Sequence, residues 1–454
     1  MTDFIPPYPP RSTKALGAFE LIKHARRDLL SIWTEQDFKM QFFGAKIINR
    51  SVFVVNRPDL VRYVFLENNA NYERKSPLMR KALEPILGKS LFISDGEIWK
   101  KHRMIETPLF SADQVAKYAD VMVTAAEERA EQWAQHADGS LFYVQPEMGQ
   151  LTAEIICRSL FGNQLGSEQA AEVVSCFAQY QAVIEQMDVM TFFGLPSWIP
   201  SFGIGKAMKP AKRIHEIVDG VIAQGIKSDN QNTLLAEFIK RLGNPNVNEA
   251  LNTEQIRNEL VMLFMAGHEG TANTLAWTWF LISQCPEVEA KVHQEVDAVL
   301  GNGRATFDSF AGLVYTRAVI EEALRLYPPV PILSRECIKD DKIRHRDIPA
   351  GSIVMAVPWL LHRHRLYWEK PDHFIPERFL PDAPVKIDKF AYIPFSVGPR
   401  VCVAKFFGLV EATLCVATLA RRFRLRVPEG QTITHECRLT LRPSHNLPMI
   451  ITKR

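Results

Sequence analysis

At 454 residues, with 47% hydrophobic and 23% charged content, the chain has the composition of an ordinary globular protein, which excludes a disordered or fibrous one. Its 54 Lys and Arg nearly balance 51 Asp and Glu, and the net charge of +3 is dispersed without a basic block, so nucleic acid is not an expected partner. The seven cysteines are odd in number and include no C-x-x-C pair, which argues against a disulfide framework or a zinc cluster and fits a reducing cytoplasm.

In chain order, residues 1–12 form a Pro-rich arm, with Pro6, Pro7, Pro9 and Pro10 favouring an extended tether. Neither this start nor any later stretch holds an uninterrupted apolar run near the roughly 18 residues of a membrane span. No low-complexity linker divides the sequence, so residues 1–454 are expected to form one unit. Residues 46–56 are rich in β-branched and aromatic types and predict a strand; residues 113–136, 286–300 and 404–422 predict helices. The longest helix is predicted from Asn252 to Cys285. Asn252 and Thr253 offer cap oxygens, Gln255 completes a capping box and Pro286 ends the run. Apolar residues surround it on every face, as in a helix crossing the centre of a large protein. After about 430, short strand-like runs are broken by Pro443 and Pro448. The fold class expected is mainly α with a small β subdomain.

Near the C-terminus, residues 395–404 read Phe-Ser-Val-Gly-Pro-Arg-Val-Cys-Val-Ala, a turn that presents Cys402 just before a helix. Helix-terminal N–H groups stabilise a thiolate and orient its sulfur, both of which favour binding iron. An isolated cysteine is more often a small buried hydrophobe, which is the expectation for the other six. Cys402 differs because Phe395, Gly398, Arg400 and Cys402 match the F-x-x-G-x-R-x-C-x-G signature of the cytochrome P-450 family, with Ala404 in place of the last glycine. The match continues through Phe407 and Glu411.

Other motifs follow in the family's order, so that the resemblance covers about residues 40–450. Glu322-Ala-Leu-Arg325 resembles E-x-x-R and Pro376-Glu377-Arg378-Phe379 resembles P-E-R-F, which implies a buried ion-pair network of Glu322, Arg325 and Arg378. Trp99 and Arg103 resemble W-x-x-x-R, and Arg335 stands where the family places an arginine. By resemblance, Trp99, Arg103, Arg335 and Arg400 bond the propionates of haem b, with His102 within reach of one. Ala266-Gly267-His268-Glu269-Gly270-Thr271 is similar to A-G-x-[D/E]-T on the oxygen side. Ala266, Gly270 and Thr274, with Gly267 and Thr271 beside them, are expected to form a stripe against which a flat cofactor could lie. Gly267 and Gly270 together cost the helix roughly 2 kcal/mol relative to alanine, which suggests a close approach or a kink.

The resemblance implies a cytochrome P-450 fold with a long central helix over the haem, Cys402 as the iron ligand, and a monooxygenase of soluble, bacterial type. Thiolate ligation favours O–O cleavage, a property general to this family and not read from the residues of this chain. No flavin domain, dinucleotide fingerprint or iron–sulfur cysteine cluster is fused to the chain, so a separate ferredoxin or flavodoxin with its reductase is implied. It would dock near Lys100, Lys101 and Lys405. By resemblance, a small apolar substrate, oxidised with O2, would be framed by the stretch before Trp99, by the region near 175–205, made apolar by Met187, Met190, Phe192, Phe193, Leu195, Trp198 and Ile199, by the central helix, and by Val330-Pro331-Ile332-Leu333.

One departure concerns the chemistry. The family's threonine after the acid, whose hydroxyl helps deliver protons, is Gly270 here, while the acid is kept as Glu269. Thr271 lies about 100° further round the helix and replaces that hydroxyl only if the helix unwinds. Either a water or a substrate hydroxyl occupies the space at Gly270, or the enzyme uses peroxide or isomerises its substrate. A non-catalytic haem sensor or electron carrier would need neither Glu269 nor a substrate cavity.

Overall fold

The computed structural model describes residues 3–14, 16–47, 50–162, 165–185, 204–227, 233–244, 246, 250–437 and 440–454. The apolar stretch from Met187 to Ile199, expected to frame the substrate, lies outside these residues. Helix dominates and the sheets are small, as the sequence predicts. No helix among the described residues is long and apolar enough to cross a membrane.

The central helix runs from Thr253 to Gln284 and is about 48 Å long at 1.5 Å per residue. Its start is fixed as expected. Gln255 N–H donates to Asn252 Oδ1 at 2.8 Å, and Asn252 N–H donates to Gln255 Oε1 at 3.0 Å. Pro286 opens the next helix, Pro286–Leu300, at once. The central helix packs against Val144–Phe161 and against two helices near the C-terminal signature, Val314–Leu326 and Lys405–Ala420. At its C-terminal end Trp277 stacks on Tyr327 with ring centroids 3.7 Å apart.

The predicted strand at 46–56 is divided between two antiparallel strands, Phe42–Ile47 and Arg50–Val55. The second pairs in parallel with Ile353–Ala356, which pairs antiparallel with Leu333–Glu336. This four-stranded sheet sets Arg335 opposite Val354, on a strand whose alternation turns it inward. A separate three-stranded sheet joins Leu141–Tyr143, Pro448–Lys453 and Phe423–Arg426.

The E-x-x-R and P-E-R-F segments form the buried network that the resemblance implies. Arg325 donates Nε and Nη2 to Glu322 at 2.6 and 2.7 Å, and its remaining donors reach the carbonyls of His362, Pro371 and His373. Arg378 stands 3.5 Å from the same carboxylate, and Ile375 N–H donates to it at 2.8 Å. With Glu322 and Arg325 both fully buried, these bonds offset the cost of bringing two charges out of water. The N-terminal arm is tied down too: Tyr327 donates its hydroxyl to Pro7 O, and Arg11 forks onto Asp372.

Candidate active site

The signature turn is held by backbone geometry. Gly398 adopts φ +74°, and a Cβ there would stand 1.9 Å from Phe65 O, so no other residue fits. Cys402 N–H donates to Phe395 O at 2.8 Å, closing the turn, and Arg103 donates to Val401 O at 2.8 Å from the facing helix, Gly96–Glu106. Cys402 is exposed while the other six cysteines are buried. Its surroundings are nonetheless protein: burial pushes the thiol up, opposed by the Ala404 N–H and by the charges of Arg103 and Lys405. An accessible sulfur deep in the protein borders an internal space.

The central helix opens onto that region. Residues 256–264 and 272–283 are almost wholly buried, whereas 265–271 are only partly so and Ala266 is exposed. Thr271 Oγ1 lies 4.0 Å from the position of a Cβ on Gly408, so the open stretch packs against the helix that begins just after Cys402. A Cβ on Gly270 would meet nothing within 4 Å. The space inferred from glycine at this position is present.

A cluster of cations without a bonded carboxylate stands beside the signature, Glu73 and Asp95 acting on Arg400 only from a distance. Among the described residues neither Arg335 nor Arg400 has a carboxylate partner, and Arg400 keeps Nε and Nη2 buried without a bond. Arg400 lies 4.5 Å over the Trp99 ring, and Arg335 4.9 Å over Phe65. Burial and Arg400 together push Arg335 down to about 9, and burial pushes Arg400 down to about 10. Lys75 joins them over Phe92, held well below the usual lysine value by burial and then by the two arginines. Like charges gathered in a partly dry site call for an anion with several oxygens. Two carboxylates beside a cysteine ligand are what haem presents, so the residues fit the group. Lys75 escapes sequence reasoning because no motif contains it and a lone lysine is normally a solvated one.

Three of the expected site residues are turned elsewhere. His102 points its Nδ1 at Glu259 of the central helix, both side chains being buried, rather than at the cation cluster. Its position one residue before Arg103 rotates it away by a helical step. Gly267 supplies a helix–helix contact: a Cβ there would stand 2.9 Å from Ile156 Cδ1, so its close approach is to a neighbouring helix and not to a cofactor. The small-residue stripe is therefore split. Thr271 directs its hydroxyl toward Glu411, as the rotation past Gly270 demands, and Thr274 bonds Gly270 O at 2.8 Å.

Glu269 spans to two other elements. Its oxygens accept from Gln181 Nε2 on Ser167–Glu185 and from Thr440 Oγ1, each at 2.5 Å. Both partners are distant in sequence, and nothing local marks them. Next to it, His268 is pushed down to about 4 by burial and keeps a bond to the Gly149 carbonyl.

The family model described as "Cytochrome P450" matches residues 6–449. The chain is a cytochrome P450. This P450 is 31% identical over 442 residues to cyclooctatin synthase of Streptomyces melanosporofaciens, covering 95% of this chain and 94% of that protein. It is 30% identical over 381 residues to cyclooctat-9-en-7-ol 5-monooxygenase of the same organism, covering 84% and 82%. Among solved structures, the crystal structure of the cytochrome P450DA heme domain matches 98% of both chains with a TM-score of 0.85 at 23% identity, a likeness of fold. The family makes this chain a haem b monooxygenase.

Proposed function

We propose that this P450 hydroxylates, or otherwise oxidises, a small and largely apolar molecule, with O2 and two electrons from a separate ferredoxin or flavodoxin and its reductase. The observation that carries the reading is the accessible Cys402 sulfur beside the open stretch of the central helix. Haem bound there supplies a redox-active iron that activates dioxygen. Cys402 provides the thiolate, with the Ala404 N–H favouring its charged form. Trp99, Arg103, Arg335, Arg400 and Lys75 hold the propionates. Glu269, kept in place by Gln181 and Thr440, would be the proton source, and Gly270 leaves room beside it for a hydroxyl the protein lacks.

The relative named cyclooctat-9-en-7-ol 5-monooxygenase acts, by its name, on an unsaturated alcohol. We carry that class to this chain: a hydrocarbon with one hydroxyl, whose oxygen fills the space at Gly270 and completes the proton path. The test is a binding screen on ferric protein, pairing alcohols with their parent hydrocarbons and reading the spin-state shift. Alcohols should bind and turn over with more product per reductant. Gly270→Thr should narrow that difference, and equal coupling for both members of every pair in the unsubstituted protein would overturn it. Cys402→Ala should lose the thiolate-type ferrous–carbon monoxide spectrum.

The missing hydroxyl at Gly270 favours one other reading, in which peroxide drives turnover, although the retained Glu269 weighs against it. Product formed from peroxide, but not from reductant plus dioxygen with several redox partners, would establish it.

A further inference from the structure

The helix Gly96–Glu106 carries titratable groups that the site just described does not use. Trp99, His102, Arg103 and Glu106 are spaced i, i+3, i+4 and i+7, so they share one face. Toward its C-terminal end that face is dry: His102 is 2% exposed, Glu106 0% and Glu259, across from them on the central helix, 1%. Glu259 accepts from His102 Nδ1 and, through its two oxygens, from Leu91 N–H at 3.0 and 3.1 Å. One carboxylate thus ties together three segments: the helix bearing Trp99 and Arg103, the central helix, and the chain that leads into Trp99.

Glu106 is the unusual member. Both of its carboxyl oxygens lack a donor, and it sits against Glu259, so that burial and then the neighbouring carboxylate hold its pKa well above the usual range. Two adjoining buried carboxylates cannot both stay ionised. A proton on Glu106 removes the difficulty, because the acid then donates to Glu259 and no buried oxygen is stranded. The charged groups set against it are Glu259 from the central helix and Arg103 from its own helix, with the titratable His102 ring beside them; the loop that presents Leu91 adds only Lys89, which is exposed.

We infer that His102, Glu106 and Glu259 are positioning residues for the haem, a buried hydrogen-bonded triad that locks the Trp99 helix onto the central helix and so fixes Arg103 against Val401 of the cysteine turn, where it would hold a propionate. The inference rests on the proposed role of Arg103 in holding haem. Glu106 is neutral in this arrangement, and its ionisation would place a negative charge beside Arg103, which itself neighbours the Cys402 sulfur. The haem potential then falls at alkaline pH, because added negative charge favours the oxidised iron.

The test uses purified holoprotein. The reduction potential of unsubstituted protein and of Glu106→Gln is followed from about pH 6 to about pH 10, a range reaching well above an ordinary carboxyl pKa. Glutamine copies the neutral acid, so the two should agree at neutral pH, and only the unsubstituted protein should turn downward at alkaline pH. Glu259→Gln removes the charge that pairs with His102 and should speed haem transfer to a scavenging apoglobin about tenfold, equivalent to about 1.4 kcal/mol. Potentials that track each other throughout, or haem loss from Glu259→Gln at the unsubstituted rate, overturn the triad. Arg103→Leu separates the two ideas: if it too keeps haem at the unsubstituted rate, the propionate role of Arg103 fails, whatever Glu106 does.

Discussion

Gly267 and Gly270 are three residues apart on one helix, yet alanine should stabilise the protein at Gly270 and not at Gly267. Each glycine in a helix interior costs about 1 kcal/mol relative to alanine, since the backbone loses more freedom on folding. At Gly270 the new methyl enters open space, so that gain of about 1 kcal/mol should appear in full. At Gly267 it would press on Ile156, 2.9 Å from Cδ1 and 3.0 Å from Cγ1, in a contact whose partner is 3% exposed. Overpacking of this kind costs about 1–3 kcal/mol, which cancels or exceeds the gain. Denaturant midpoints of the ferric holoproteins should therefore rank Gly270→Ala above the unsubstituted protein, and that above or equal to Gly267→Ala. Ile156→Val removes the obstructing methyl and should restore part of the loss only in the Gly267→Ala background. Equal midpoints for the two alanine variants would refute the assignment of the two glycines to different surroundings.

Other expectations follow from the same structure. Glu322→Gln leaves Arg325 buried without its counter-charge and should cost about 3–5 kcal/mol, read as loss of soluble holoprotein on expression. Arg335→Leu should lower haem occupancy after gel filtration more than Lys75→Met, because Arg335 is the more deeply buried and Lys75 is held well below the usual lysine value by burial and the two arginines. His268, pushed down to about 4 by burial, is neutral when folded and protonates more readily unfolded. Its contribution is complete above about pH 6.5 and is lost as pH falls from there toward 4, by roughly 3 kcal/mol at most. His268→Gln should flatten that part of the stability–pH curve, and an unchanged slope would contradict the buried neutral state. Asn252→Ala removes one half of the capping box and should cost about 1 kcal/mol in the same denaturant assay.

What was legible in the sequence divides along physical lines. The central helix was, because its cap is local: Asn252 and Gln255 satisfy each other's N–H groups within one turn, and Pro286 stops the run. The signature turn was, because Gly398 admits no side chain and Cys402 follows it at fixed spacing. The direction in which each side chain points was less so. His102 adjoins Arg103 in sequence but spends its donor on Glu259, which is 157 residues away. Glu269 finds its partners 88 residues before it and 171 after it. Partners at such separations are chosen by the packing of whole helices, and no periodicity within either segment encodes them.

The same distinction bears on what Gly270 means for the reaction. Had Gly270 been a packing residue, its lost hydroxyl would be a by-product of helix contact, as the glycine at 267 is. The open space beside it removes that explanation. Nor does Thr271 make up the loss, since its rotation about 100° past Gly270 turns the hydroxyl toward Glu411. Thr274 is committed to Gly270 O, in a bond that satisfies its own donor within the helix. The protein thus keeps the acid, empties the adjoining position and supplies no hydroxyl from the next turn. A proton path through this gap must be completed by something that arrives with the substrate or with water, so a change of substrate should alter coupling here even where affinity is unchanged.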